Sequence, residues 1–177
     1  ERLGRGWSNL PRALQLEMDE VRELYEQAAD QGLEHAMNNL GVMYEHDQGV
    51  AQSYVKARDW YERAAAGGHA EAQCLLGSYY HSGREGVAID LPRARMWYEK
   101  AAAQGHAEAQ ADLGDYYHYG HQGVGIDLPR ARMWTEKAAA QGEARAQFSL
   151  GGMYRDGRGG PQNFTRAREL YELAAAQ

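Results

Sequence analysis

The sequence predicts an all-α protein, a helical repeat solenoid of about four stacked helix pairs preceded by one further helix. Three observations carry this. The string Ala-x-x-x-Leu-Gly-x-x-Tyr occurs four times, at Ala36/Leu40/Gly41/Tyr44, Ala72/Leu76/Gly77/Tyr80, Ala109/Leu113/Gly114/Tyr117 and Ala146/Leu150/Gly151/Tyr154. Its leucines stand 36, 37 and 37 residues apart, and a fixed period of that length marks a stacked repeat architecture. A second string follows each copy: a basic residue, Ala, two variable residues, an aromatic or Leu, then Ala-Ala. It reads Ala57/Trp60/Ala64/Ala65, Ala94/Trp97/Ala101/Ala102, Ala131/Trp134/Ala138/Ala139 and Ala167/Leu170/Ala174/Ala175. Both strings place their fixed residues three or four apart, the spacing of one helix face. The first string defines a helix A and the second a helix B.

Taken in order, residues 1–17 form an N-terminal extension. Leu10-Pro11-Arg12-Ala13 echoes the Leu-Pro-Arg-Ala of later copies, and one long helix from about Pro11 to Gln31 suits the stretch better than a decayed repeat. Within it, residues 18–31 carry an extra helix B with Val21, Leu24, Ala28 and Ala29 at the conserved spacing. The repeats then run over about 33–68, 69–105, 106–142 and 143–177, as a single domain over 18–177. Each helix B ends at a glycine (Gly32, Gly68, Gly105, Gly142), a residue that takes the left-handed conformation closing a helix. Asp90 and Asp127 precede Leu-Pro-Arg-Ala, which supplies a capping carboxylate and a proline in the first turn, where its missing N–H is harmless. The A-to-B loops are short and glycine-rich, around Gly49, Gly83/Gly86, Gly120/Gly123/Gly125 and Gly157/Gly159/Gly160.

Gly41, Gly77, Gly114 and Gly151 fall inside helix A, where glycine costs about 1 kcal/mol relative to alanine. A cost repeated at one position calls for close packing, and the expected partner is the bulky Trp60/Trp97/Trp134 position of helix B. The Met96/Met133 and Trp97/Trp134 stripes are expected to be core. A single repeat cannot bury its apolar face, whereas stacked neighbours can. The apolar pattern is uncapped at both ends, so the chain is expected to be a segment of a longer array or to meet a neighbour end to end through its C-terminal helix.

Composition excludes several function classes. The net charge is -6 with a pI near 5.6, against nucleic-acid or anionic-membrane binding, which need a basic footprint. No apolar run approaches the 18 or so residues of a membrane span, so direct membrane insertion is not expected. The one cysteine, Cys74, rules out a disulfide within the chain and reads as a small core or groove residue.

The combination of Ala-x-x-x-Leu-Gly-x-x-Tyr, a glycine-rich loop and Lys/Arg-Ala-x-x-Trp-Tyr-x-Lys/Arg-Ala-Ala resembles the Sel-1-like repeat, a relative of the tetratricopeptide repeat, over about residues 18–177. The sequence departs from that pattern in its loops, where Asp47 replaces a Gly and Ser53 an Asp. It also departs in helix B, where Trp-Tyr becomes Trp134-Thr135 and Leu170-Tyr171. The resemblance implies a right-handed αα-superhelix with helices A lining a concave face. It further implies a scaffold or adaptor that presents this groove to a peptide or protein partner within a multiprotein assembly. On the same basis the variable positions of helix A face the groove: Asn38, Asn39, Val42 and His46, then Leu75, Ser78 and His81. In the later copies they are Asp112, Asp115, His118 and Tyr119, then Phe148 and Arg155. Their mixture of amide, imidazole, aromatic and charged groups suits a peptide, whose backbone needs polar partners and whose side chains need anchors. Asn39 matches the groove asparagine of related repeats. The lysines of a carboxylate clamp are missing, so capture of a C-terminal carboxylate is not expected.

Catalytic and metal chemistry find little footing. His69 and His106 occupy equivalent positions a helix pair apart, as do His81 and His118, too far for one ion whose ligands lie about 2 Å away. His118 and His121 stand closer, with Asp115 one turn before, but they too read as surface or groove residues. No metal, cofactor or catalytic residue is expected. The serines do not sit in a strand-to-helix elbow, and the glycine clusters follow helices rather than strands, so phosphate-loop context is absent. Two other readings stand beside the adaptor. One is a structural linker subunit held in a larger complex, membrane-associated or not, by its loops and ends. The other is a hydrolase, such as one acting on β-lactams, which would need an activated serine or a zinc site.

Overall fold

A computed structural model describes residues 12–120 and 125–177. The first eleven residues of the expected N-terminal extension, and His121 and Gly123 of the third loop, lie outside the described residues. The described residues form α-helices and no named strand; one isolated bridge, Arg84 with Val87, closes a loop. The chain divides into two compact units, one up to Ile89 and one from Asp90.

The first unit holds α1 (Arg12–Asp30), α2 (Glu34–Glu45), α3 (Tyr54–Ala66) and α4 (Ala70–Ser82). The second holds α5 (Leu91–Ala103), α6 (Ala107–Tyr119), α7 (Leu128–Ala140), α8 (Ala144–Asp156) and α9 (Phe164–Ala175). Within each unit every helix packs against the next in sequence, the arrangement of a helical repeat solenoid. In repeat terms α2, α4, α6 and α8 are helices A, and α3, α5, α7 and α9 are helices B.

The helix boundaries follow the local chemistry of the sequence. Gly32, Gly68, Gly105 and Gly142 have φ of 88°, 103°, 90° and 90°. At each, the following amide donates back to an alanine carbonyl five residues earlier: Leu33 to Ala28, His69 to Ala64, His106 to Ala101 and Glu143 to Ala138. That is the Schellman closure, which satisfies carbonyls the helix end leaves orphaned. Asp90 and Asp127 accept from the amides of Arg93 and Arg130, both at 3.0 Å, with proline in the first turn of α5 and α7. Ser53 and Asn163 cap α3 and α9 in the same way. Asp47, the residue that departs from the glycine of the loop, keeps the left-handed conformation at φ 56°. Aspartate is among the few side chains that enter that region.

The interior combines alanines, one leucine per helix A and buried tyrosines such as Tyr61, Tyr79 and Tyr116. Leu40, Leu76 and Leu113 are fully buried, and Ala57, Ala64, Ala72, Ala94, Ala101, Ala109, Ala131 and Ala138 are equally closed to solvent. Small residues let helix axes approach closely, so each repeat depends on packing density more than on bulk.

Two expectations are corrected here. The helix-A glycines do not face the tryptophans. A methyl group on Gly41 would meet the Tyr61 ring, one on Gly114 would meet Thr135, and one on Gly151 would meet the Tyr171 ring. The partner is therefore the residue after the tryptophan position. Nor are Met96 and Met133 core: they are 39 % and 41 % exposed. Ala94, Tyr98, Ala101 and Ala102 fill the inner face of α5, and Met96 lies two residues, about 200°, from Ala94 and so on the opposite side. Trp60, Trp97 and Trp134 are half-buried at the margin of that face. Each carries a cation one turn on, Arg63, Lys100 or Lys137, 4.3 Å from the ring centroid, a favourable cation–π geometry.

Candidate functional site

Several residues that look reactive in the sequence have structural roles. His69 and His106 are N-caps: their Nδ1 atoms accept from the amides of Ala72 and Ala109. Glu143 does the same for Ala146 at the start of α8. The tyrosine of the second, third and fourth Leu-Gly-x-x-Tyr strings reaches a glutamate 18 residues earlier, on the preceding helix B. Tyr80 donates to Glu62 at 2.6 Å, Tyr117 to Glu99 at 3.4 Å and Tyr154 to Glu136 at 3.3 Å. Cys74 is buried and forms no disulfide.

A glutamine series escaped the sequence reading. Gln73, Gln110 and Gln147 are buried. They donate to the carbonyls of Ala65, Ala102 and Ala139 at 3.1, 3.1 and 3.4 Å, satisfying groups at the end of the previous helix B that would otherwise be costly to bury. Their recurrence at one repeat position was the available signal.

The helix-A positions expected to face a groove separate by unit. In the first unit Asn38 is 8 % exposed, and its Oδ1 finds no hydrogen-bond partner among the described residues. Asn39, Val42, Leu75, Ser78 and His81 are half-buried, and His46 is exposed.

The second unit does bring its set together. Asp115, His118, Tyr119, Phe148 and Arg155 surround one cavity of about 240 Å³, with Thr135, Gly152, Met153 and Tyr171 completing its inner walls. Tyr119 and Phe148 are 66 % and 64 % exposed, a large apolar area left at the surface by a small domain. The Phe148 ring packs on Tyr171 with centroids 5.3 Å apart, and His118 lies 4.8 Å from the Tyr119 ring. Asp112, the remaining position, lies beside the cavity rather than on it.

The polar rim is internally paired. Arg145 donates to Asp112 at 2.6 Å and to Asp115 at 3.2 Å. Arg155 holds Asp156 with two hydrogen bonds, 2.7 and 3.1 Å, which keeps that carboxyl below the usual range. Arg158 Nη1 lies 3.0 Å from His118 Nε2; the guanidinium can only donate, so the ring nitrogen accepts. Burial pushes the Asp115 carboxyl above its ordinary value, against the pull of Arg145. The site therefore offers aromatic surface with polar groups fixed around it, the usual make-up of a pocket that orients a ligand.

The cavity has a cause in the repeat itself. In the first copy Tyr61 lies between Gly41, Glu45 and Tyr79: it is fully buried, donates to Glu45 at 2.7 Å and meets the Tyr79 ring edge-on at 5.7 Å. Burial, with the Glu45 hydrogen bond, pushes its phenol well above the ordinary range. Position 135 is the third-copy equivalent of Tyr61, and there the residue is threonine. Its hydroxyl turns back to the Ala131 carbonyl at 2.8 Å, and this smaller side chain lines the cavity. The sequence shows the substitution, but only the packing shows that neighbours do not collapse into it.

Comparison with known proteins gives the chain its relatives. The sequence profile of the Sel1 repeat matches residues 22–33, 34–69, 70–106, 107–143 and 144–177. Among solved structures, a protective antigen present in uropathogenic Escherichia coli strains, displaying an SLR fold, is 38 % identical with a TM-score of 0.83. The match covers 88 % of this chain and 33 % of that one. A Sel1 repeat protein from Oxalobacter formigenes is 34 % identical with a TM-score of 0.78, covering 88 % of this chain and 61 % of its own. A sel1 repeat protein from Klebsiella pneumoniae subsp. pneumoniae is 27 % identical with a TM-score of 0.62, covering 88 % and 73 %. The chain thus spans one third and about three fifths of the length of the first two. No curated protein matches the sequence.

Proposed function

This chain belongs to the Sel1 repeat family, and we propose that it is a protein–protein interaction adaptor that binds a peptide segment of its partner. No described helix is long and apolar enough to cross a membrane, and the family's repeats are typically interaction scaffolds. The observation that carries the finer reading is the convergence of five variable helix-A positions, Asp115, His118, Tyr119, Phe148 and Arg155, on one cavity. The repeat-constant positions of the same helices, such as Leu113 and Leu150, are buried. Residues free to vary have been left where a partner would touch them, and exposed aromatics are the side chains that anchor such contacts.

The test uses the chain itself as bait for a displayed library of random peptides. Enriched peptides should bind one to one and lose affinity when Tyr119→Ala or Phe148→Ala is introduced, by about tenfold or more for an anchoring aromatic. Failure to enrich any peptide, or affinity unchanged from the parent chain in both variants, would reject the reading.

A further inference from the structure

We infer that the cavity between α6, α7, α8 and α9 is a tyrosine-binding slot: it takes one phenolic side chain from a partner segment, in place of the internal tyrosine that the third repeat lacks. This deepens the adaptor reading and rests on it.

Tyr61 has three neighbours that define its nest: Gly41 below the ring, Glu45 at the hydroxyl and Tyr79 at the edge. Moved forward two copies, these positions are Gly114, His118 and Met153. Thr135, His118 and Met153 all line the cavity, and Gly114 keeps the close approach, since a methyl group there would collide with Thr135. The positions of Glu45 and Tyr79 in that nest thus correspond to two cavity-lining residues, while over Gly114 the Thr135 hydroxyl stands where the first copy has the tyrosine ring. Tyr171, the fourth-copy equivalent, occupies its own place against Gly151 and presents its ring as a wall of the slot rather than filling it.

Size and chemistry agree with a phenol. The cavity holds about 240 Å³, and an apolar cavity of about 150 Å³ already admits benzene. Phe148 and Tyr171 give an incoming ring aromatic partners, and methionine sulfur favours an aromatic contact. The phenol hydroxyl meets the polar rim, where His118 and the Arg158 guanidinium bonded to it stand, as Tyr61 meets Glu45. Gly152 opens the way in: its equivalents in earlier copies are Val42, Ser78 and Asp115, and a side chain at this position would narrow the cavity it lines.

The experiment titrates N-acetyl-L-tyrosinamide, and separately N-acetyl-L-leucinamide, into the ¹⁵N-labelled chain. Tyrosinamide should shift the amides of His118, Thr135 and Gly152, and leucinamide should not. Thr135→Tyr plugs the slot from within and Gly152→Leu from the opposite helix. Either folded variant should lose at least about tenfold in tyrosinamide affinity, as expected when an aromatic group can no longer be buried. No shift with tyrosinamide at millimolar concentration, equal shifts with leucinamide, or shifts unchanged in a folded plugged variant would overturn the slot. If the slot fails while library-selected peptides still depend on Phe148, the adaptor reading stands alone; if no peptide is selected either, both fall.

Discussion

Gly41→Ala should destabilise the protein even though alanine is the better helix former. The exchange gains about 1 kcal/mol of intrinsic helix propensity. Against this, a methyl carbon built on Gly41 collides with Cε1 of Tyr61 and falls 2.5 Å from its Cδ1. Carbon atoms in favourable contact lie about 3.5–4.0 Å apart, so the ring would have to retreat by about 1 Å. It has nowhere to go: Tyr61 is fully buried, tied to Glu45 at 2.7 Å and backed by Tyr79. Overpacking of this kind costs about 1–3 kcal/mol and sometimes more, and a closed site belongs in the upper part of that range. The net loss should be about 1–2 kcal/mol, which for a chain of this size lowers Tm by roughly 2–8 °C. Gly152→Ala is the control. Its nearest non-helix atom is the Tyr171 hydroxyl at 3.6 Å, an ordinary contact, so the propensity gain should survive and raise stability by up to about 1 kcal/mol. Thermal and urea unfolding of the full chain, followed by circular dichroism, reads both. A Gly41→Ala protein melting at or above the parent, or both variants shifting alike, would refute the packing account of the helix-A glycines.

Three further outcomes follow from the caps, the glutamine series and the ion cluster. Asp127→Ala removes the acceptor for the Arg130 amide and should cost about 1 kcal/mol in a thermal melt, most of it restored by Asp127→Ser; an unchanged melting point would count against the cap. Gln110→Leu strips the donor from the Ala102 carbonyl and the acceptor from Gln141. It should cost roughly 1–3 kcal/mol in urea unfolding, the penalty for orphaned buried groups, and a neutral result would show that other donors replace it. In a carboxyl-detected NMR titration Asp115 should lose its proton above the ordinary aspartate range, and Arg145→Ala should move that midpoint higher. Because the folded-state value is raised, the folded protein holds this proton more tightly than the unfolded chain. The stabilising contribution of Asp115, measured against Asp115→Asn, is then present at acid pH and is lost as pH rises through the folded-state value. A midpoint at or below the ordinary range would contradict the burial argument.

Much of this protein was legible before any coordinates. Four copies of Ala-x-x-x-Leu-Gly-x-x-Tyr, with Gly32, Gly68, Gly105 and Gly142 closing the B helices, determine the helices, their order and their ends. Those signals are local: a period of 3.6, a left-handed residue and a capping carboxylate each act within a few residues. The tertiary structure decided what depends on phase and on contact across helices. One residue along a helix is 100° of rotation, so only packing could show that the glycines face Tyr61, Thr135 and Tyr171 rather than the tryptophans. The same holds for Gln73, Gln110 and Gln147, whose partners lie eight residues back on another helix. Of the groove positions, the sequence could supply candidates, but not which of them meet. Thr135 stands in the sequence as one departure from a repeat. It becomes the floor of a cavity only because α6, α8 and α9 hold their places around it, each fixed by its own packed alanines and leucine, and do not close on the missing ring.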